Sequence, residues 1–192
     1  LCAEKAEQVE NPEDISVTSD LYKFSVLPIR SVGVQGDSRS YKHALTIFTK
    51  KGFSDLRSLH GLATSLPNIH PEINRVLVCT SHNEIPKITF TPTFIKRDLA
   101  DLLREADHIV QIEMRDSGLY EKIWQFPVVL IPIGTNKKGH SVVLRPVESQ
   151  EAMTANAYHL TEKFLEGVTK KILELEGIDM VFYDCTNKPP AT

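Results

Sequence analysis

Three short stretches hold residues whose types and spacing could do chemistry. The first is the turn Gly36-Asp37-Ser38-Arg39. Such a turn can grip a phosphorylated sugar: Gly36 lets the backbone approach, Asp37 accepts from hydroxyls, and Arg39 forks onto phosphate. A solvated hairpin tip has the same composition, and turn chemistry alone favours that reading. The second is Gln125, a lone amide at the head of the apolar run 126–133, placed either to meet solvent or to hydrogen-bond a ligand's edge. The third is Lys188, which precedes Pro189 and Pro190 in the closing YDCTNKPPAT. Two prolines fix the backbone there, so the lysine is held in place.

None of these groups is a nucleophile. The sequence holds no GxxxxGKS/T, no HExxH and no GxSxG. Its 7 histidines never stand at metal-ligand spacing and read as surface or capping residues, so no metal site is expected.

The elements that must position these residues follow from hydrophobic periodicity. A hairpin spans roughly 24–34 and 42–49, with the 36–39 turn at its tip. Ser54 is placed to cap a helix bearing Leu56, Leu59, Leu62, Ala63 and Leu66, closed by Pro67. A strand follows at 73–80. A long helix begins at Thr93, with Ile95, Leu99, Leu102, Leu103, Ala106, Ile109, Val110 and Met114 inward, and ends at Gly118. The run 126–133 reads as a strand buried on both faces. A returning strand at 141–147, a helix at about 159–176 with Gly177 as its cap, and a strand at 178–186 complete the chain.

The two halves look like copies. VLPI at 26–29 matches LIPI at 130–133, and INRVLVCT at 73–80 matches IDMVFYDCT at 178–186 with a one-residue slip near its end. The expected fold is α+β: two copies of a strand-strand-helix-strand unit packed as an internal pseudo-dimer and joined by a long helix. Residues 1–20, rich in Glu and Asp, read as an acidic linker from an upstream domain. Residues 21–90 form the first repeat, and 91–192 the second with the connecting helix.

Composition narrows the function. With 41% hydrophobic and 24% charged residues over 192 positions, the chain can bury one large core or two small ones. A net charge of −3 offers no electrostatic case for nucleic acid or an anionic membrane. No apolar run reaches the roughly 18 residues of a spanning helix. The cysteines, Cys2, Cys79 and Cys185, are odd in number and form no CxxC, which points to a reducing, cytosolic setting.

LPIRSVGVQGDSRSY, VVLRPVES with AMTA, the approach READHIVQIEMRDSGLYEKIWQFPVVLIP and the closing YDCTNKPPAT together resemble the C-terminal domain of the GMP synthase (glutamine-hydrolysing) family, over about 21–192. The tandem arrangement resembles the subgroup with a second copy of the dimerisation unit. The resemblance implies a ligase of purine nucleotide biosynthesis. In it a glutaminase domain releases ammonia, and an ATP pyrophosphatase domain, using ATP and Mg, activates xanthosine monophosphate (XMP). The C-terminal part helps hold XMP. This chain has neither the SGGxDS loop nor the glutaminase cysteine motif, so alone it is expected to be inactive and to need no cofactor. The resemblance assigns XMP contacts to Asp37, Arg39, Gln125 and Lys188, and no catalytic residue. Glu151-Ala152 departs from the family's acidic-aromatic pair, and the family pattern runs on past Thr192. The alternative is a purely structural dimerisation module with no ligand contact.

Comparing the copies adds one expectation. The first repeat keeps the 36–39 turn but has no Lys-Pro-Pro ending, while the second keeps Lys188 but has Asn136-Lys137-Lys138-Gly139 in place of the turn. One shared XMP site built from both halves, in a monomer whose dimer surface is internally occupied, would explain this division.

Overall fold

The computed structural model describes residues 19, 21–35, 38–49, 55–135, 139–149 and 155–191. Gly36, Asp37, Ser54 and the 136–138 turn therefore lie outside the described residues, as does nearly all of the acidic segment. In chain order the first elements are β1 (Tyr22–Gln35), β2 (Ser38–Thr49), α1 (Leu56–Ile69), β3 (Ile73–Cys79), β4 (Thr89–Phe90) and α2 (Arg97–Asp116). Then come β5 (Val128–Ile131), β6 (Ile133–Gly134), β7 (His140–Leu144), β8 (Val147–Glu148), β9 (Asn156–Ala157), α3 (Glu162–Leu173) and β10 (Ile178–Asp184).

Six strands form one mixed sheet in the order β1-β2-β3-β10-β7-β5. On each side a strand pairs antiparallel with its neighbour, which then runs parallel to the next across a helix: β1–β2–β3 through α1, and β5–β7–β10 through α3. The centre is the antiparallel pairing of β3 with β10. Both parallel ladders open with the same irregularity. His43 faces Ile73 and Ala44 faces Arg75, while His140 faces Ile178 and Ser141 faces Met180.

Strand alternation sorts the side chains onto two faces. Leu45, Ile47, Val76, Val78, Val142, Leu144, Val181 and Tyr183 pack with residues of all three helices, among them Leu59, Val110 and Leu165. On the opposite face Ala44, Phe48, Leu77, Cys79, Val143, Met180 and Phe182 form a second cluster with Leu27, Ile29 and Ile133. Cys79 and Cys185 are free and buried. Among the described residues no helix is long and apolar enough to cross a membrane.

Several sequence expectations need correction. Asp55, whose side chain accepts from the Ser58 amide, caps α1. The helix runs through Pro67 to Ile69, because a proline in a last turn forfeits one internal bond and His70 still donates to Leu66. The connecting helix begins at Arg97, four residues after Thr93, and Ile95 is 67% exposed in the segment before it. Apolar spacing carried across that segment misplaced the start, which has no side-chain cap. The 126–133 run is not buried on both faces: β5 covers Val128–Ile131 at the sheet edge, and all four residues are half-buried. Among the described residues only β7 pairs with β5, and the apolar side chains of β5 line grooves instead of a closed core. His60 and His140 are buried, not surface residues. Gly118 at φ +66 and Gly177 at φ +96 occupy the left-handed positions expected after helices.

Candidate functional site

The sheet face that carries none of the described helices, its helix-free face, holds a cleft of about 270 Å3, just below the range for small-molecule sites, roughly 300–1,000 Å3. Its wall is apolar, with Leu77, Val129, Ile131 and Val143, and Trp124 lies at its margin. Its described polar side chains are Ser31, Arg30, Arg75, Arg145, Asp184, Gln125 and Lys188. Among the described lining residues four cations face one carboxylate, which suits an anionic ligand that also carries an apolar surface.

Gln125 is held through its backbone. Its amide donates to the Val147 carbonyl (3.3 Å), and the Val147 amide donates back to the Gln125 carbonyl (2.8 Å). The Gln125 side chain is exposed at the cleft. Lys188 is clamped in the same way: its amide donates to Ala155 (2.7 Å), and the Ala155 amide donates back (3.2 Å). The Asn187 side chain accepts from the Ala157 amide at 3.0 Å, and the Val34 amide donates to Pro190 at 3.0 Å. Both peptide bonds that flank Pro189 are cis. The closing segment is thus stitched between residues 155–157 and the outer half of β1, with Lys188 half-buried against the cleft.

Of the residues singled out from sequence, the structure brings Gln125 and Lys188 to one cleft. Arg39 stands at the start of β2 opposite Val34, and its side chain is exposed. It is not among the cleft-lining residues, although Val34 is itself bonded to Pro190. Asp37 lies outside the described residues.

Sequence reasoning passed over the cleft's floor. Asp184 is fully buried, and its Oδ2 pairs with the guanidinium groups of both Arg75 and Arg145. Its Oδ1 accepts from the Thr186 amide at 3.0 Å. Burial alone would push this carboxyl up, but Arg145, Arg75 and the Thr186 amide outweigh it and hold it at about 2. Arg75 also donates to the Val32 carbonyl at 3.2 Å, joining β3 to β1. A signal was available: Arg75 and Asp184 each interrupt an apolar strand, and a charge inside such a strand needs a partner.

Behind the sheet, His60 and His159 stack with ring centroids 3.7 Å apart. The Tyr183 hydroxyl donates to the Tyr158 carbonyl (2.5 Å) and lies 2.8 Å from His60 Nε2. A hydroxyl has one proton, so Nε2 is the donor in that second bond. Burial, with a lesser contribution from His159, lowers His60 to about 4. Among the described residues no three His, Cys, Asp or Glu side chains are grouped to hold a metal ion.

Residues 112–192 match the family described as the GMP synthase C terminal domain. A probable GMP synthase (glutamine-hydrolyzing) of Leptospira interrogans serogroup Icterohaemorrhagiae serovar copenhageni is 44% identical over 177 residues, covering 91% of this chain and 29% of that protein. The Dictyostelium discoideum GMP synthase is 32% identical over 187 residues, covering 87% of this chain and 26% of its own length. The Leifsonia xyli enzyme is 43% identical over 110 residues, only 51% of this chain and 21% of that protein. The chain thus spans less than a third of the length of the relatives it matches.

Proposed function

The chain carries the C-terminal domain of the GMP synthase family, and from that premise we propose that it helps hold XMP for ATP-dependent amination to GMP in a cytosolic ligase. The observation that carries this reading is the meeting of Gln125 and Lys188, far apart in sequence, in one cationic cleft with apolar walls. A nucleoside monophosphate has matching chemistry. Its phosphate takes Lys188 and a neighbouring guanidinium, and its base takes the Gln125 amide and the apolar wall. By the family resemblance Asp37 and Arg39 would also contact the nucleotide; Arg39 stands opposite Val34, whose amide bonds Pro190 beside the Lys188 segment.

These residues bind and orient; they do not attack. Catalytic benefit from this chain would come from holding XMP in reach of a neighbouring domain. In this reading an upstream pyrophosphatase domain supplies ATP and Mg chemistry, and a glutaminase domain supplies ammonia.

We also infer that the chain is an internally duplicated pseudo-dimer, and therefore a monomer with one XMP site. Matching bonds on the two sides of the β3–β10 seam support this. Thr80 donates its amide to Val181 at 2.9 Å, and Cys185 donates its amide to Val76 at 3.2 Å. The Val181 amide bonds the Ser81 hydroxyl at 3.0 Å, and the Val76 amide bonds the Thr186 hydroxyl at 2.8 Å. Under one constant offset Val76 becomes Val181 and Ser81 becomes Thr186, without the slip that matching by sequence introduces. Val78 pairs with Tyr183, its own counterpart under the same offset, as a two-fold relation between the halves requires.

The test is the KM for XMP in the full-length polypeptide. Lys188→Ala or Gln125→Ala should raise it while leaving the KM for ATP unchanged. An unmoved KM for XMP in both would leave a purely structural module.

A further inference from the structure

The sheet's helix-free face has two ends related by the constant offset, and their chemistry is opposite. At one end Arg75 of β3, Asp184 of β10 and Arg145 just after β7 form a buried ion cluster on the cleft floor. The offset that takes Val76 to Val181 also takes Arg75 to Met180 and Cys79 to Asp184. The matching ladders take Ala44 to Ser141, and hence Phe48 to Arg145. The other end is therefore built from Met180, Cys79 and Phe48. These three are 0%, 1% and 1% exposed and pack in one cluster with Leu27, Ile29 and Ile133. A charged or polar ligand would find no partner there.

At the first end the guanidinium groups of Arg75 and Arg145 meet at Asp184, the one carboxylate among the described lining residues, and an incoming anion can approach the same guanidinium groups. The same carboxylate accepts from the Thr186 amide, and Thr186 Oγ1 donates to the Val76 carbonyl at 3.2 Å. Those bonds fix the path of the chain two residues before Lys188. One side chain therefore sets both the cationic floor and the exit toward the lysine.

We propose that Asp184 is a positioning residue for the anionic substrate, acting through Arg75 and Arg145, and that the Met180–Cys79–Phe48 plug leaves the chain with one nucleotide site instead of two. This rests on the XMP reading above. The charged end draws on both halves of the chain, since Arg75 comes from the first and Asp184 and Arg145 from the second. The plugged end has the converse make-up, with Phe48 and Cys79 from the first half and Met180 from the second.

The experiment uses the full-length polypeptide with Arg75→Met, which installs the residue found at the matching position and leaves Asp184 paired with Arg145. Arg75→Lys, Asp184→Asn and Lys188→Ala are measured beside it, with thermal melts for each. Arg75→Met should raise the KM for XMP roughly tenfold or more, with kcat and the KM for ATP within about twofold, and Arg75→Lys should recover most of the loss. Asp184→Asn should move the KM for XMP in the same direction. Calorimetric titration of the unmodified protein should give one XMP per chain. If Arg75→Met does not fold, Asp184→Asn decides: a KM for XMP raised about threefold or more in the folded variant supports the proposal, and an unchanged value overturns it. A normal KM for XMP in folded Arg75→Met, beside a raised one in Lys188→Ala, overturns the proposal and leaves the XMP reading standing. Normal values in both overturn the XMP reading itself. Two XMP per chain overturns the plugged second end.

Discussion

The amide of Val34 donates a 3.0 Å hydrogen bond to the carbonyl of Pro190. This bond joins the outer half of the first hairpin to the segment that carries Lys188. Beside it, Gly33 bridges to Ala191, and its α-carbon lies so close that an added Cβ would stand 2.5 Å from the Pro190 carbonyl oxygen and 2.7 Å from the Asn74 amide nitrogen. Gly33→Ala should therefore push the closing segment off β1. We expect a loss of about 1–3 kcal/mol of stability from overpacking, together with a raised KM for XMP. Denaturant melts and XMP kinetics on the full-length protein check both. Unchanged values would mean the segment shifts without consequence.

Lys188 and Gln125 differ in what their loss should cost. A charged hydrogen bond to phosphate is worth about 1.5–3 kcal/mol and a neutral amide bond about 0.5–1.5 kcal/mol. Lys188→Ala should then raise the KM for XMP by more than Gln125→Ala. Arg39→Ala, from the exposed start of β2, should fall with Lys188→Ala if the hairpin tip reaches the phosphate. A normal KM in Arg39→Ala alone would confine the site to the cleft.

Acid should weaken the fold in two separate windows. His60 drops from 6.5 to about 4 in the folded chain. The unfolded chain therefore binds the proton first, and the stability this gives is full above pH 6.5 and is lost as pH falls toward 4. At most about 3 kcal/mol is at stake. Asp184, lowered from 3.8 to about 2, adds a second loss between those values. Denaturant melts at pH 7 and 4.5 should show a smaller decline for His60→Gln than for the unmodified protein. Equal declines would remove His60 as the cause.

Much of this fold was legible because the strands alternate and stretches of the two halves match in sequence. INRVLVC and IDMVFYD announce two central strands, and Gly118 and Gly177 mark chain reversals. Periodicity failed where apolar residues serve an edge or a linker. Ile95 carries the spacing of a helix but precedes the helix start, and β5 is apolar because it borders clefts. At the site, Gln125 stood out as a lone amide heading an apolar run and Lys188 as a lysine held by two prolines, and the family resemblance added the ligand. Arg75, Arg145 and Asp184 did not, because their partnership is made across strands that sequence alone does not juxtapose.

An internal pseudo-dimer should not need a second chain. Analytical ultracentrifugation of this polypeptide at micromolar concentration should give the mass of one chain, 21.6 kDa. A tight dimer would contradict the internal pairing of the two halves as the occupant of that surface.

The isolated chain should form no AMP from ATP and XMP and release no ammonia from glutamine, since neither motif for those steps is in its sequence. Steady AMP formation by the purified chain would contradict the division of labour proposed here.

The most direct test is the position of XMP in a structure of the full-length protein bound to it. The account predicts one XMP per chain in the helix-free cleft, with Lys188 and Gln125 in hydrogen-bond contact and the Met180–Cys79–Phe48 end empty. XMP seated elsewhere, with Lys188 and Gln125 making no contact to it, would contradict the account.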